Sequence, residues 1–252
     1  MTADRSARPR VVVSVIATAD GRVALNRAER LLDEDANRRW RGAWPSDTAE
    51  LLSARSAAID QGHHPTVVLE GSGTFVADDE EPPPLPSTTA PAAELRTDFL
   101  PFRTPRWFVV VDGRGRVRWT HKGDEVTSLL VLACASTPLP YLAHLRRERI
   151  PYLVAGTDRV DLAAALGKLR SELGAECVVS EAGGGLNGAL LRAGLVDELH
   201  VVTVPVLVGG LGTPSIADGP PLDVGAAPVR LRTVSVQTSA LGAVWAHYEV
   251  SG

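Results

Sequence analysis

The stretch Cys177-Val178-Val179-Ser180-Glu181-Ala182-Gly183-Gly184-Gly185-Leu186-Asn187-Gly188-Ala189-Leu190-Leu191 decides the fold. Cys177 to Ser180 is short and apolar with β-branched residues at its centre, the mark of a buried strand. Consecutive glycines at 183–185 end it, and helix-forming residues resume at once. A strand, a glycine turn and a helix in that order are the core of an α/β unit. Successive backbone N–H groups in such a turn form an anion-binding nest at a helix N-terminus. The segment does not match Gly-x-Gly-x-x-Gly, and no acidic residue ends a following strand at the spacing of a Rossmann domain. Glu181 stands where the strand ends, at the edge where open α/β sheets place their ligands. It reads either as a helix-capping or solvated carboxylate, or as an acceptor for a substrate N–H.

Outward from this stretch, short β-branched segments bounded by Gly, Pro or Asp read as strands: Val11-Ile16, Thr66-Leu69, Trp107-Val111, Ser128-Leu132, Tyr152-Val154, Cys177-Ser180, Leu199-Pro205, Val229-Gln237 and Ala243-Val250. Most are continuous apolar runs, as in a sheet covered on both faces. Helices are expected over Asp33-Ser56, Tyr141-Arg149, Leu162-Leu173 and Leu186-Ala193, with Asp161 as the cap of the third. The alternation predicts an α/β/α three-layer fold with a mainly parallel mixed sheet. Its last two strands, joined at Ser239-Ala240-Leu241-Gly242, form a terminal antiparallel hairpin. Residues 1–252 are expected to form a single domain. Within it, 77–106 is a Pro- and acid-rich loop, long enough to be a lid or partly disordered.

A second glycine segment, Val67-Val68-Leu69-Glu70-Gly71-Ser72-Gly73-Thr74, is an apolar strand that empties into a turn. It reads as a ligand-approach site followed by a helix N-terminus, or as a plain tight turn. Asp20-Gly21 is a turn signal. His63-His64, before Pro65, reads as solvent-exposed, having no carboxylate or Cys partner nearby in sequence. No metal site is expected. Cys134 and Cys177 lie in or beside apolar runs and read as buried structural thiols. The net charge of −4, with 26 Lys and Arg spread along the chain, gives no nucleic-acid footprint. A polar start and the lack of a long apolar run predict a cytoplasmic protein with no membrane contact. Neither Gly-x-Ser-x-Gly nor His-Glu-x-x-His occurs, so hydrolase chemistry has no starting point.

The order of three motifs resembles the riboflavin-biosynthesis pyrimidine reductase family, the C-terminal domain of the bifunctional deaminase/reductase and its stand-alone relatives. The motifs are Ala17-Thr18-Ala19-Asp20-Gly21-Arg22-Val23-Ala24, then Gly71-Ser72-Gly73-Thr74-Phe75-Val76-Ala77-Asp78-Asp79, then Glu181-Ala182-Gly183-Gly184 with Leu195-Val196-Asp197-Glu198-Leu199 and Pro205-Val206-Leu207-Val208-Gly209-Gly210. The resemblance implies a dihydrofolate-reductase-like fold, a homodimer, and NADPH as cofactor. It implies hydride transfer to C1′ of a ribosylaminopyrimidine phosphate, giving the ribitylamino form.

By the same resemblance, Ile16, Gly71, Gly73, Thr74, Asp78, Gly183, Gly184, Gly185 and Leu186 contact the cofactor. Glu181 and Asp78 are the catalytic candidates, and Ser14, Arg55 and Glu181 face the substrate. Arg114 and Arg116 are candidates for a 2′-phosphate, or belong to a solvated hairpin turn.

The substrate arginine that usually follows the Ala-Asp-Asp segment is missing. The chain runs Glu80-Glu81-Pro82-Pro83-Pro84 there, and Arg55 is the candidate replacement. Ser14 stands where many bacterial members carry Lys, and Asp60-Gln61-Gly62-His63-His64-Pro65 reads as an insertion. No zinc deaminase signature occurs. Two further readings stay open. One is a reductase of this fold acting on another metabolite, unphosphorylated or pterin-like. The other is a nucleotide-binding homologue without turnover.

Overall fold

The β-branched runs become strands, and the breaks between elements fall where Pro and Gly force them. The computed structural model describes residues 7–77 and 80–251. In chain order the elements are β1 (Arg10–Thr18), α1 (Glu34–Gly42), α2 (Thr48–His63), β2 (Val67–Gly71), a 3-10 turn (Ser72–Thr74), α3 (Ala92–Leu95), β3 (Arg106–Val111), β4 (Thr127–Ala133) and α4 (Leu139–Arg147). They continue with β5 (Tyr152–Val154), α5 (Leu162–Leu173), β6 (Cys177–Ser180), α6 (Gly184–Arg192), β7 (Glu198–Val204), β8 (Arg230–Thr238) and β9 (Val244–Ser251). The class is α/β, with mainly parallel strand pairing and antiparallel C-terminal strands.

Contacts divide the chain into two compact units, one built mainly from Arg10–Pro65 with Val179–Gly252, the other from Thr66–Val178. In the first, the strand order is β1-β7-β9-β8. β1 and β7 are parallel, while β9 pairs antiparallel with both β7 and β8. Leu51 of α2 packs on Val202 and Trp245, with Ile16 at the edge of that cluster.

In the second unit β5, β4, β3 and β2 lie side by side, all parallel. Leu142 and Leu145 of α4 bury against Val110, Leu129 and Val131. Each such leucine, fully withdrawn from water, contributes about 1.5–3 kcal/mol.

Three expectations need correction. The single helix expected over Asp33-Ser56 is two, because Pro45 offers no N–H and disfavours helical backbone at the residue before it. The second of these, α2, runs on through Asp60-Gln61-Gly62, read above as an insertion before the strand. It ends at His64, left-handed at φ 45°, just before Pro65.

The 77–106 segment is not structureless. It holds α3, whose Leu95 is buried, and the Leu95 carbonyl accepts a 2.6 Å bond from the Tyr152 hydroxyl. Phe99 bridges to Tyr152, and Asp98 accepts from Lys168 and from the Val154 N–H.

Nor is 112–116 part of a hairpin, since β3 and β4 run parallel and the connection crosses between them. That crossover is anchored by the buried Asp112. Its carboxylate accepts from Arg116 N, Val117 N and, at 2.8 Å, from the Tyr141 hydroxyl. Trp119 Nε1 donates to the same phenol at 2.8 Å. Burial, and then the nearby Asp112 charge, push the Tyr141 phenol well above its usual range, so it stays a donor. Gly115, at φ +65°, lies against the Tyr141 ring where a Cβ would collide.

Both cysteines are buried and neither is in a disulfide, as expected. Among the described residues no helix is long and apolar enough to cross a membrane.

Tyr141→Phe would take one of three donors from the Asp112 carboxylate and leave the Trp119 N–H without its partner. The expected cost is about 1–3 kcal/mol, read as a lower urea midpoint at unchanged slope. An unchanged midpoint would show that the network contributes nothing.

Candidate active site

The glycine turn that opens α6 has two kinds of glycine. A Cβ on Gly184 would run into the Ser215 carbonyl oxygen, and one on Gly188 into the Asp218 carbonyl oxygen. Gly183 and Gly185 have nothing within 4 Å of where a Cβ would stand. The alternation follows from helix geometry, since Gly184 and Gly188 are four apart and share a face.

On that face, Asp218 N donates to Gly184 O at 2.8 Å, and Arg192 Nη2 donates to Asp218 O at 2.7 Å. The Asp218 side chain takes the Ser215 N–H and hydroxyl. The open side of the turn carries no side-chain cap, and no acid stands in the helix's first turn. Its first N–H groups and positive dipole end therefore suit an anion.

Asn187 clips the turn shut from below. Its Nδ2 donates to Ala182 O at 2.6 Å, and its Oδ1 accepts from the Ser180 hydroxyl at 2.8 Å. Sequence reasoning did not single out Asn187 or Asp218. A buried Asn seven residues after a strand-end Ser, straddling the glycines, is a signal that could have been read; Asp218 carried none.

Beside the turn lies a charge pair. Arg55 of α2 is only 7% exposed. Its Nη1 donates to Val15 O of β1 at 3.2 Å, and its Nε has no hydrogen-bond partner. Burial draws its pKa down, opposed by the charge of Glu181. Two sequence-predicted substrate residues, Arg55 and Glu181, are thus brought within electrostatic reach, with Glu181 exposed. Ser14 is buried in the middle of β1, opposite His200. Ile16 turns its side chain into the core around Val202 and Trp245, and Leu186 is half-buried in the first turn of α6.

The Asp-Gly pair after β1 is more than a turn. Gly21, at φ +76°, lets the chain double back. The Asp20 carboxylate accepts from the Thr18 hydroxyl at 2.6 Å and from Gly209 N at 2.7 Å. The Thr18 bond first, and then the Gly209 and Val208 N–H groups, hold its pKa at about 2 against desolvation. Asp20 therefore ties the end of β1 to the 205–210 loop, and Arg22 continues the tie through Thr213 O.

In the other unit, Gly71 closes β2 and a single 3-10 turn follows. No α-helix begins there, so the expected helix N-terminus is absent and the segment ends as a tight turn. Thr74 Oγ1 donates to Glu70 at 2.9 Å, and Gly73 faces open space. Asp78 lies outside the described residues.

The Arg116 guanidinium binds the carbonyls of Ala77 and Glu80, and Arg118 binds that of Pro83. These two arginines hold the Pro-rich loop. Arg114 is exposed. A cavity of about 590 Å³ lies between that loop and the crossover, walled by Phe75, Phe108, Val117 and Trp119, with Glu80 at its lining.

An uncapped glycine turn with a buried guanidinium and a carboxylate near it leaves room for an anionic ligand on this α/β scaffold. Residues 9–245 match the RibD C-terminal domain. The chain belongs to that family, the pyrimidine reductases of riboflavin biosynthesis, and is an oxidoreductase by homology.

It is 30% identical over 228 residues to the 2,5-diamino-6-ribosylamino-4(3H)-pyrimidinone 5′-phosphate reductase of Methanothermobacter thermautotrophicus, covering 89% of this chain and 90% of that one. The enzyme of the same name from Archaeoglobus fulgidus is 29% identical, over 84% and 87% of the two chains. Among solved structures, a pyrimidine reductase-like protein of Corynebacterium diphtheriae superposes with a TM-score of 0.64 at 16% identity, over 98% and 94% of the two chains. The family uses a nicotinamide cofactor.

The two kinds of glycine should respond oppositely to one methyl group. Gly184→Ala forces the 215–218 strip away and is expected to cost about 1–3 kcal/mol, as overpacking does. Gly185→Ala meets nothing and gains helix propensity of about 1 kcal/mol. Thermal unfolding of the two variants checks this, and equal effects would refute it.

Proposed function

We propose that this chain uses NADPH to reduce the ribosylamino group of a ribosylaminopyrimidine 5′-phosphate to the ribitylamino form, its two units acting as one reductase domain. The observation that carries the reading is the Arg55–Glu181 pair set beside the uncapped glycine turn of α6. The cofactor fits that turn. Gly183 and Gly185 leave room for a bulky anion, and the N–H groups of the first helical turn supply its hydrogen bonds.

NADPH, when bound, supplies the hydride that adds to C1′. The protein's part is to orient two ligands and hold charge. The turn and Leu186 seat the pyrophosphate. Gly71, Gly73 and Thr74, with Asp78, border the cofactor, and Ile16 meets it with its backbone.

Glu181 accepts from an N–H of the pyrimidine ring, fixing the ring's orientation. Arg55, with Nε unpartnered, takes an anionic group of the substrate, and Ser14 lies on the substrate side of β1. Glu181 and Asp78 are the candidates for holding the proton that the reduced sugar needs.

A second reading has one specific observation in its favour. The segment after Asp79 lacks the substrate arginine the family resemblance implies and opens instead on Glu80-Glu81, and Glu80 lines an aromatic-walled cavity. Two carboxylates beside a phosphate would repel it, so an unphosphorylated substrate of the same reaction class is the alternative.

One assay separates the two: NADPH oxidation followed by absorbance, with the phosphorylated ribosylaminopyrimidine and its dephosphorylated form. Turnover of the phosphorylated compound with the higher kcat/KM supports the first reading, and preference for the other form supports the second. Tight NADPH binding with no turnover of either would leave a nucleotide-binding homologue. Glu181→Gln is expected to lower kcat/KM by about 10²-fold, in the range of lost acid–base or orienting groups, and unchanged turnover would remove Glu181 from the site.

The active form we propose is a homodimer. β8 ends the strand order of its unit and is exposed along its length, with Leu231, Val234 and Val236 each more than 40% exposed. An apolar edge strand of this kind is a pairing surface, and a second copy of this chain is the partner that a symmetric enzyme supplies. Sedimentation equilibrium should give twice the 26.7 kDa chain mass, and Val236→Lys should return the monomer. A monomeric wild type would overturn the assignment.

A further inference from the structure

His63, read from sequence as solvent-exposed, ends α2 with its Nε2 2.9 Å from Glu198 Oε2. The pairing was hidden because its partner lies 135 residues away. Glu198 opens β7, and two more imidazoles converge on the same oxygen. His247 Nε2 of β9 stands 3.2 Å from Oε2, and His200 Nε2, two residues along β7, stands 3.5 Å from it. The register explains the convergence: His200 sits directly opposite His247, and on one face of a strand residues two apart point the same way.

We propose that Glu198, His200 and His247 form a binding site for a divalent transition metal, zinc by its chemistry, with His63 at its rim, 2.9 Å from the same carboxylate oxygen. In a zinc site with bonds of about 2.0–2.2 Å, neighbouring ligand atoms stand about 3.3–3.5 Å apart. The three nitrogens already lie 2.9, 3.2 and 3.5 Å from the carboxylate oxygen. The ligand atoms of Glu198, His200 and His247 all lie within 4.8 Å of one another. Imidazoles and a carboxylate are the borderline donors that zinc prefers over magnesium or calcium.

A second observation points the same way. His200 is 2% exposed, and its Nε2 is aimed at Glu198 Oε2 across 3.5 Å, too far to be well satisfied by it. A buried, unsatisfied ring nitrogen costs stability unless something occupies it. The rings of His200 and His247 stack at 4.0 Å, so one of them turns to bring both in-plane lone pairs onto an ion.

The outer contacts are in place. Arg10 Nη1 holds the other carboxylate oxygen, Oε1, at 2.5 Å, leaving Oε2 to the cluster. His63 and His247 are each 20% exposed, which gives an ion an entry path. Trp245 Nε1 donates to His200 Nδ1 across 3.3 Å, which leaves the His200 proton on Nε2. Ligation moves that proton to Nδ1 and ends this long bond. Three protein ligands hold the ion, and His63 stands beside the fourth position. The ion ties β7 to β9 beside the last turn of α2, the helix that carries Arg55.

The test uses tag-free full-length protein, stripped with EDTA and dialysed. It is titrated with zinc by calorimetry and with cobalt(II) by visible absorption, and its unfolding is scanned with and without zinc. The site predicts saturation at one ion per chain, the intense bands of four-coordinate cobalt, and a higher midpoint with zinc. His63→Gln, at a helix end and partly exposed, and His247→Ala should each weaken binding by at least about tenfold, the lower range for lost outer-shell partners.

Trp245→Phe should leave zinc binding unchanged or tighter, since the bond it removes competes with ligation. A network that is only structural would be loosened by Trp245→Phe and bind no ion. Absence of saturable uptake by the wild type, a pale six-coordinate cobalt spectrum, or uptake indifferent to both histidine variants would each overturn the site.

Discussion

The close backbone approach at Gly184 and Gly188 is the constraint on which the candidate active site depends. Two carbonyl oxygens, of Ser215 and Asp218, occupy the space where side chains would otherwise stand. The first turn of α6 is therefore seated on a strip of chain, and its opposite side, Gly183 and Gly185, is left bare. A helix N-terminus is a useful anion site only if its N–H groups are both unspent and held still. The packing glycines hold the turn still, and the bare ones leave it unspent. The strip beneath is tied in its turn through Arg22 and Asp20 to the end of β1. A local glycine pattern thus rests on contacts from three distant parts of the sequence.

Satisfying backbone groups by carboxylates is the recurring way those distant parts are joined. Asp197 takes the Val11 N–H at the start of β1, and Asp20 takes the 208–209 N–H groups beyond its end. Asp218 does the same for Ser215. In the other unit Asp112 organises a crossover that has no helix of its own. A carboxylate that accepts several N–H bonds favours its charged form, which is why Asp20 stays ionised to low pH while lying at the surface. These acids fix loops and leave the chemistry to others.

What could be read in the sequence was whatever is encoded locally. The strand, glycine turn and helix at Cys177–Leu191 were legible because periodicity and glycine chemistry act over a few residues. The antiparallel ending at β8 and β9 was legible for the same reason. The break of the first long helix turned on Pro45, a local signal whose consequence was underweighted. Long-range pairings were illegible. His63 sits beside a proline in a polar stretch, and nothing near it announces Glu198. Likewise Leu95 and Phe99 look like hydrophobic residues stranded in a Pro-rich loop until Tyr152 is seen against them. At the Gly71 segment the plain tight turn, one of the two readings its residues allow, is the local structure, since a strand followed by glycines is equally the sequence of a single 3-10 turn.

Arg55 sharpens the substrate question. A guanidinium cannot shed its proton in a protein, so its burial is tolerated only with partners that return the lost hydration. In the chain as it stands those partners are one backbone carbonyl at 3.2 Å and the charge of Glu181, with Nε left over. An anionic substrate group would complete the set, converting an incompletely solvated cation into a bidentate contact. A neutral substrate would leave it incomplete. The acids at Glu80 and Glu81 argue against a phosphate near their own segment, but they do nothing to relieve Arg55. Between the two, the buried charge is the stronger constraint, because a buried guanidinium cannot turn away into water. The balance of these energies favours a substrate with a negative group held at the β1 side of the site.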